Sequence, residues 1–270
     1  MLLTRSGRLA AWSMAWRHGD APADEVLRAG VGEAGLVNAD RLDPDAAPGR
    51  DPWTPPDEMH ARAATTAPTS MVDVLRQWRR DAASVRVVLP VPGDVRGLPG
   101  PAGFRAAALD AGEAVVGAGL GLVPRRLGPS PGSSAHGLLV WQVFTIEAVP
   151  PDYVSLADAG YQLAEAVRES ASALAAAQVA RRTPQLQAAL SQWRREPTEL
   201  DLPPRFPPRA VALLAQAERL HALLRIVALD PVGGGVDRAG YDARTAALHP
   251  LIEAVRRARL AGYNALSETS

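Results

Sequence analysis

The sequence predicts an α+β protein: a small mixed or antiparallel sheet with flanking helices over residues 1–150, then an all-helical bundle over 151–270. Three observations carry this. The β-branched run Val85 to Val91 and two later apolar runs read as strands, and all lie in the first part. After Pro150-Pro151 that signal gives way to Leu156, Gly160, Leu163, Val167, Ser170, Leu174 and Ala177, the three-four spacing of a helix seam. At 270 residues the chain also sits where a single core stops growing, so two domains are expected.

Taken in order, Arg8 to His18 sets Trp12, Met14 and Trp16 at period two and reads as a half-buried strand, although the tryptophans are also four apart, as on a helix. Asp20 to Gly30 reads as a short helix, with Pro22 near its first turn and Asp24 and Glu25 at the positive end of its dipole. Residues 38–70, with Asp-Pro, Pro-Gly and Pro-Pro pairs and little apolar periodicity, are expected to form an irregular loop or disordered insertion. Ser70 should cap a helix over Met71 to Arg80 with Val74, Leu75 and Trp78 on its stripe. Beyond the Val85 strand a glycine-rich loop leads to a helix opening at Pro101 and ending near Gly112. Glu113 to Val123 and Gly137 to Ala148 read as two strands, antiparallel across a turn holding Pro129, Pro131 and Gly132.

In the second part, Thr183 and Pro184 should open a helix through Leu186, Leu190 and Trp193, followed by a proline-rich connection from Glu196 to Pro208. Ala210 to Leu229, apolar on most of its circumference, is expected to be the central helix, with Leu214, Leu220, Leu224 and Val227 in the core. After a glycine turn at Asp230 to Gly235, the last helix should present Tyr241, Thr245, Leu248, Ile252, Val255 and Gly262 on one side and bend at Pro250.

Composition excludes more chemistry than it suggests. The 29 basic residues are all arginine and balance 29 acidic ones, so no net field draws the chain to nucleic acid or an anionic membrane. Without lysine there is no P-loop lysine or Schiff base. Without cysteine there are no disulfides, thiolate nucleophiles or thiolate metal sites, which fits a cytoplasmic protein. The run Leu9 to Trp16 is too short and too aromatic for a signal sequence, and no stretch is long and apolar enough to span a bilayer.

The best candidate ligand site is the loop from Gly93 to Gly100, between a buried strand and a helix N-terminus whose free amides can hold an anion. Gly93, Gly97 and Gly100 would shape it, and Asp94 and Arg96 would contact the ligand. The plainer reading is a turn made by Pro and Gly, since GxxxGxxG is neither a dinucleotide fingerprint nor a P-loop. Gly117 to Gly121 reads as a glycine-weakened strand or bulge, and Arg125, Arg126 and His136 as a small basic patch or, equally, a solvated hairpin tip. Glu218-x-x-His221 has the spacing of a di-iron helix but lacks its companion motif, so no metal and no cofactor are expected, and Glu218 is read as a surface residue. Gln77-Trp78-Arg79-Arg80 recurs as Gln192-Trp193-Arg194-Arg195 at two predicted helix ends. With no convergent catalytic set, the expected function is a non-enzymatic protein-interaction or regulatory module that binds another protein or a second copy through an exposed face of the bundle or through the Trp12/Trp16 face. The alternative is a binder of small anionic ligands, or an enzyme, using the 93–100 loop where the two halves meet.

Overall fold

The computed structural model describes residues 3–32, 34–38, 68, 70–82, 84–94, 97–98, 100–127, 138–147, 154–176, 184–197, 199–228 and 238–267. They fall into two compact units. The sheet unit comprises Thr4–Asp152, Leu202–Pro204 and Leu266–Ser270, and the helical unit comprises Met1–Leu3, Tyr153–Asp201 and Arg205–Ala265. The expected irregular segment 38–70 lies outside the described residues except for Asn38, Pro68 and Ser70.

The sheet unit opens with a helix, α1 (Arg5–His18), not with the expected strand. Thr4 caps it by accepting from the Gly7 N–H at 3.0 Å, and Gly19 ends it in the left-handed conformation at φ 83°. Leu9 through Ala15 are all buried. Its middle turns, Leu9 to Ala15, are buried all round and show no polar face, so Trp12, Met14 and the half-buried Trp16 imitate the alternation of a strand although Ser13 and Ala15 between them are buried too. Next, α2 (Ala23–Glu25) runs into a wide π turn over Val26–Val31, where the expected short helix was read. Gly30 lies against the α1 backbone: a Cβ there would sit 3.3 Å from Leu9 Cα.

Ser70 caps α3 (Met71–Arg80) as expected, and Val74, Leu75 and Trp78 are buried. From its C-terminal end Gln77 Nε2 donates to Ala118 O at 3.0 Å and Trp78 Nε1 to Gly117 O at 2.9 Å. The helix α4 (Ala102–Ala111) follows Pro101, which stands at the cap position, and ends on left-handed Gly112.

Five strands form one mixed sheet in the order β1-β5-β4-β3-β2: β1 (Gly35–Asn38), β2 (Arg86–Val88), β3 (Ala114–Gly117), β4 (Leu120–Leu127) and β5 (Leu138–Thr145). β1 runs parallel to β5 and the other pairs are antiparallel. The expected single strand from Glu113 to Val123 is in fact a hairpin. Ala118 and Gly119 take φ of 48° and 72°, a two-residue turn with both central residues left-handed, and Gly117 pairs with Leu120. A core between sheet and α4 gathers Val88, Leu98, Phe104, Ala108, Val116, Val123 and Ile146. The edge at β2 is joined by the chain's last described residues: Ser267 Oγ donates to Val85 O at 2.5 Å, and Ser84 Oγ donates to Ser267 O at 3.4 Å.

The helical unit holds α5 (Leu156–Ala176), α6 (Pro184–Arg195), α7 (Pro208–Ala228) and α8 (Arg238–Asn264). Its core gathers Ala159, Leu163, Ala166, Leu213, Ala217, Leu251, Ala254, Val255, Ala258 and Ala261. The expected central helix, α7, touches α5, α6 and α8, while the most extensive packing is that of α8 against α5 and α7. Small residues let α8 pack so closely. Ala254, Ala258, Ala261 and Gly262 admit close neighbours, and a Cβ on Gly262 would collide with the Leu214 side chain. Of the four core positions expected on α7, Leu214 is fully buried, while Leu220, Leu224 and Val227 are half-buried. The expected α8 stripe fails at its start, where Tyr241 is 52% and Ile252 46% exposed, and holds at Val255 and Gly262. Pro250 stands inside α8 on an exposed position.

Candidate functional site

The 93–100 loop begins as a closed turn. Val91 N–H donates to Asp94 O at 3.2 Å and Asp94 N–H to Val91 O at 2.9 Å, with Pro92 and Gly93 between them. Gly93 has φ 89°, the value a type II turn asks of its third residue. Gly97 and Gly100 are also left-handed, and a Cβ on Gly100 would come within 2.8 Å of Ile146 Cγ2. Leu98 is buried in the sheet-unit core. These glycines therefore have backbone and packing reasons of their own. Arg96 lies outside the described residues, as does His136; Arg125 and Arg126 are exposed on β4. The repeated tryptophan motif performs one job twice, because Trp193 Nε1 also donates to a main-chain carbonyl, Arg219 O at 3.1 Å, and the Arg219 guanidinium lies 4.5 Å from the Trp193 ring centroid.

The richest polar cluster lies in the helical unit, built on α7 and α8. Glu218, expected at the surface, is 2% exposed. Its Oε1 accepts from Arg259 Nε at 2.9 Å and from the Tyr263 hydroxyl, and Arg259 and Tyr263 are themselves 7% and 1% exposed. On α7, Glu218, His221 and Arg225 follow one another at i+3 and i+4 and so share a face; Arg259 and Tyr263 stand four apart on α8. Burial pushes the His221 imidazole down to about 4, Arg259 and Arg225 push the same way, and Glu218 opposes them. The ion pair explains how a carboxylate survives there, since a buried charge needs a partner. It also puts a guanidinium where a di-iron helix would bring a metal, and no group of three or more metal-ligating side chains occurs among the described residues. Arg259 and Tyr263 were not singled out in the sequence. Every cation in this chain is arginine, so nothing marks the buried one; the Arg-x-x-x-Tyr spacing opposite Glu218 was the only available signal.

A second feature is the apolar half of the helical unit. No residue of α6 is buried, none of α7 after Glu218 and none of α8 between Gly240 and Pro250. This half nevertheless carries Leu186, Leu190, Leu220, Leu223, Leu224, Ile226, Val227 and Leu248, all half-buried, with Tyr241 and Ile252 exposed beside them. No helix among the described residues is long and apolar enough to cross a membrane.

Comparison with known proteins places both parts of the chain. Residues 6–155 match the family model described as Rv1486c-like protein, N-terminal domain, and residues 157–260 the one described as Rv1486c-like protein, C-terminal domain. The chain is 31% identical over 294 residues to the uncharacterised protein MAV321 of Mycobacterium avium, with 96% of this chain and 95% of the relative covered. It is 32% identical over 282 residues to the uncharacterised protein Rv1486c of Mycobacterium tuberculosis, with the same coverage. No solved structure matches it.

Proposed function

The chain belongs to the Rv1486c-like family, and from that footing we propose that it is a non-enzymatic interaction or regulatory module, binding a partner protein or a second copy through the apolar half of its helical unit. The observation that carries this reading is that α6, the C-terminal half of α7 and the N-terminal half of α8 leave leucine and isoleucine side chains half-buried, with Tyr241 and Ile252 exposed. Apolar surface of this kind is what association buries, and exposed tyrosines such as Tyr241 and Tyr161 are favoured interface anchors. A formal charge of zero adds no long-range repulsion between copies. The division into domains at residues 150 and 151 is part of the proposal, supported by family models that meet between residues 155 and 157. A cytoplasmic setting suits a chain without cysteine.

The test is a photo-crosslinking amino acid placed in turn at Tyr241 and Ile252, with Val72, an exposed apolar position of the sheet unit, as control. A discrete cross-linked species from the first two positions and not from the third, identified by mass spectrometry as one protein or as this chain, is expected. Equal labelling from all three, or none from Tyr241 and Ile252, removes the reading.

A further inference from the structure

We propose that Arg259 anchors a site in the helical unit for a small oxyanion, a carboxylate or phosphate group held by the Nη edge of its guanidinium, with His221 and Arg225 one and two turns along α7 from its partner Glu218. This stands independently of the interaction reading. A guanidinium carries five N–H donors in a planar fork. Among the described residues Arg259 uses only Nε, toward Glu218 Oε1. That oxygen is fixed in turn by the Tyr263 hydroxyl, so the fork is oriented from one side and both Nη groups are left for another acceptor. Neither Nη is among the buried polar atoms without a partner, so both keep an opening to solvent although the Arg259 side chain is only 9% exposed. A charged fork held this deep, its Nη groups met only by solvent, gains from an oxyanion that answers two donors at once in bidentate geometry.

Charge selects the same class. Glu218 cancels Arg259, and the exposed Arg225 leaves the locality one charge positive, which an anion neutralises and a metal cation would worsen. Both arginines act on His221, whose ring is kept neutral and has one N–H to offer.

The full chain is titrated with sodium phosphate and, separately, sodium acetate, with sodium chloride holding ionic strength constant, while NMR follows the Arg259 Nε–Hε and His221 imidazole resonances. Saturable shifts are expected, and saturation by one anion alone assigns the group as phosphate or carboxylate. Because replacing buried Arg259 endangers the fold, the variant is Arg225→Ala, which should bind about three- to fivefold more weakly, the worth of one exposed charge contact. Shifts no larger than chloride produces, or an Arg225→Ala titration identical to that of the wild type, would overturn the proposal.

Discussion

Glu218, deeply buried, is held by Arg259 and Tyr263, which both donate to one of its oxygens. Tyr263→Phe removes a hydrogen bond to a charged acceptor and should cost about 1.5–3 kcal/mol in urea unfolding. His221 sets a pH dependence. Its folded pKa, near 4, is below the ordinary 6.5, so the unfolded chain binds the extra proton first. Its contribution to stability is complete above about 6.5 and is lost as pH falls from there toward 4. His221→Gln should flatten the unfolding free energy across that window, and an unchanged slope would show the ring to be solvated. Little of this cluster was legible in the sequence. The Glu-x-x-His spacing on α7 pointed to the right turn of helix, but burial of Glu218 is decided by two α8 residues some forty positions away.

Among the elements, those with local signals were readable and those settled by tertiary contact were not. Ser70 before α3, Gly112 after α4 and Pro184 at the start of α6 are written in single residues, and each stands where expected. The α1 helix and the β3–β4 hairpin were misread because complete burial erases a helix's polar face, and because Gly117 to Gly121 reads as unbroken strand without an Asn-Gly turn. Ala118 pays for that turn with a left-handed backbone, so Ala118→Gly should raise stability by about 0.5–1 kcal/mol. A lower midpoint in thermal unfolding would contradict the turn assignment. How far the core extends along α7 has its own check. Leu214→Ala should cost about 2–5 kcal/mol, whereas half-buried Leu224→Ala should cost clearly less. Equal losses would show Leu224 to be as deep in the core as Leu214.

At the scale of the whole molecule, the α+β class followed from where strand periodicity stops, and the mixed sheet and the helices beyond it agree. The crossings of the chain between its two units were not legible, because Leu202–Pro204 and Leu266–Ser270 are short segments whose allegiance depends on distant partners. Removing residues 266–270 should therefore destabilise the sheet unit, read as faster hydrogen exchange at β2 and β3, although the deletion touches neither strand in sequence. Exchange unchanged from the full chain would show the tail to be an ornament.

The bond from Ser267 to the Val85 carbonyl also has a bearing on birth at the ribosome. It spans 182 positions, so at about 5–20 residues per second some ten to forty seconds pass between emergence of the two partners. During that interval the nascent sheet lacks its last edge contact while the whole helical unit is being synthesised. A chain whose synthesis stalls before Ser267 is left without that bond beside β2, an edge strand open to pairing with other chains.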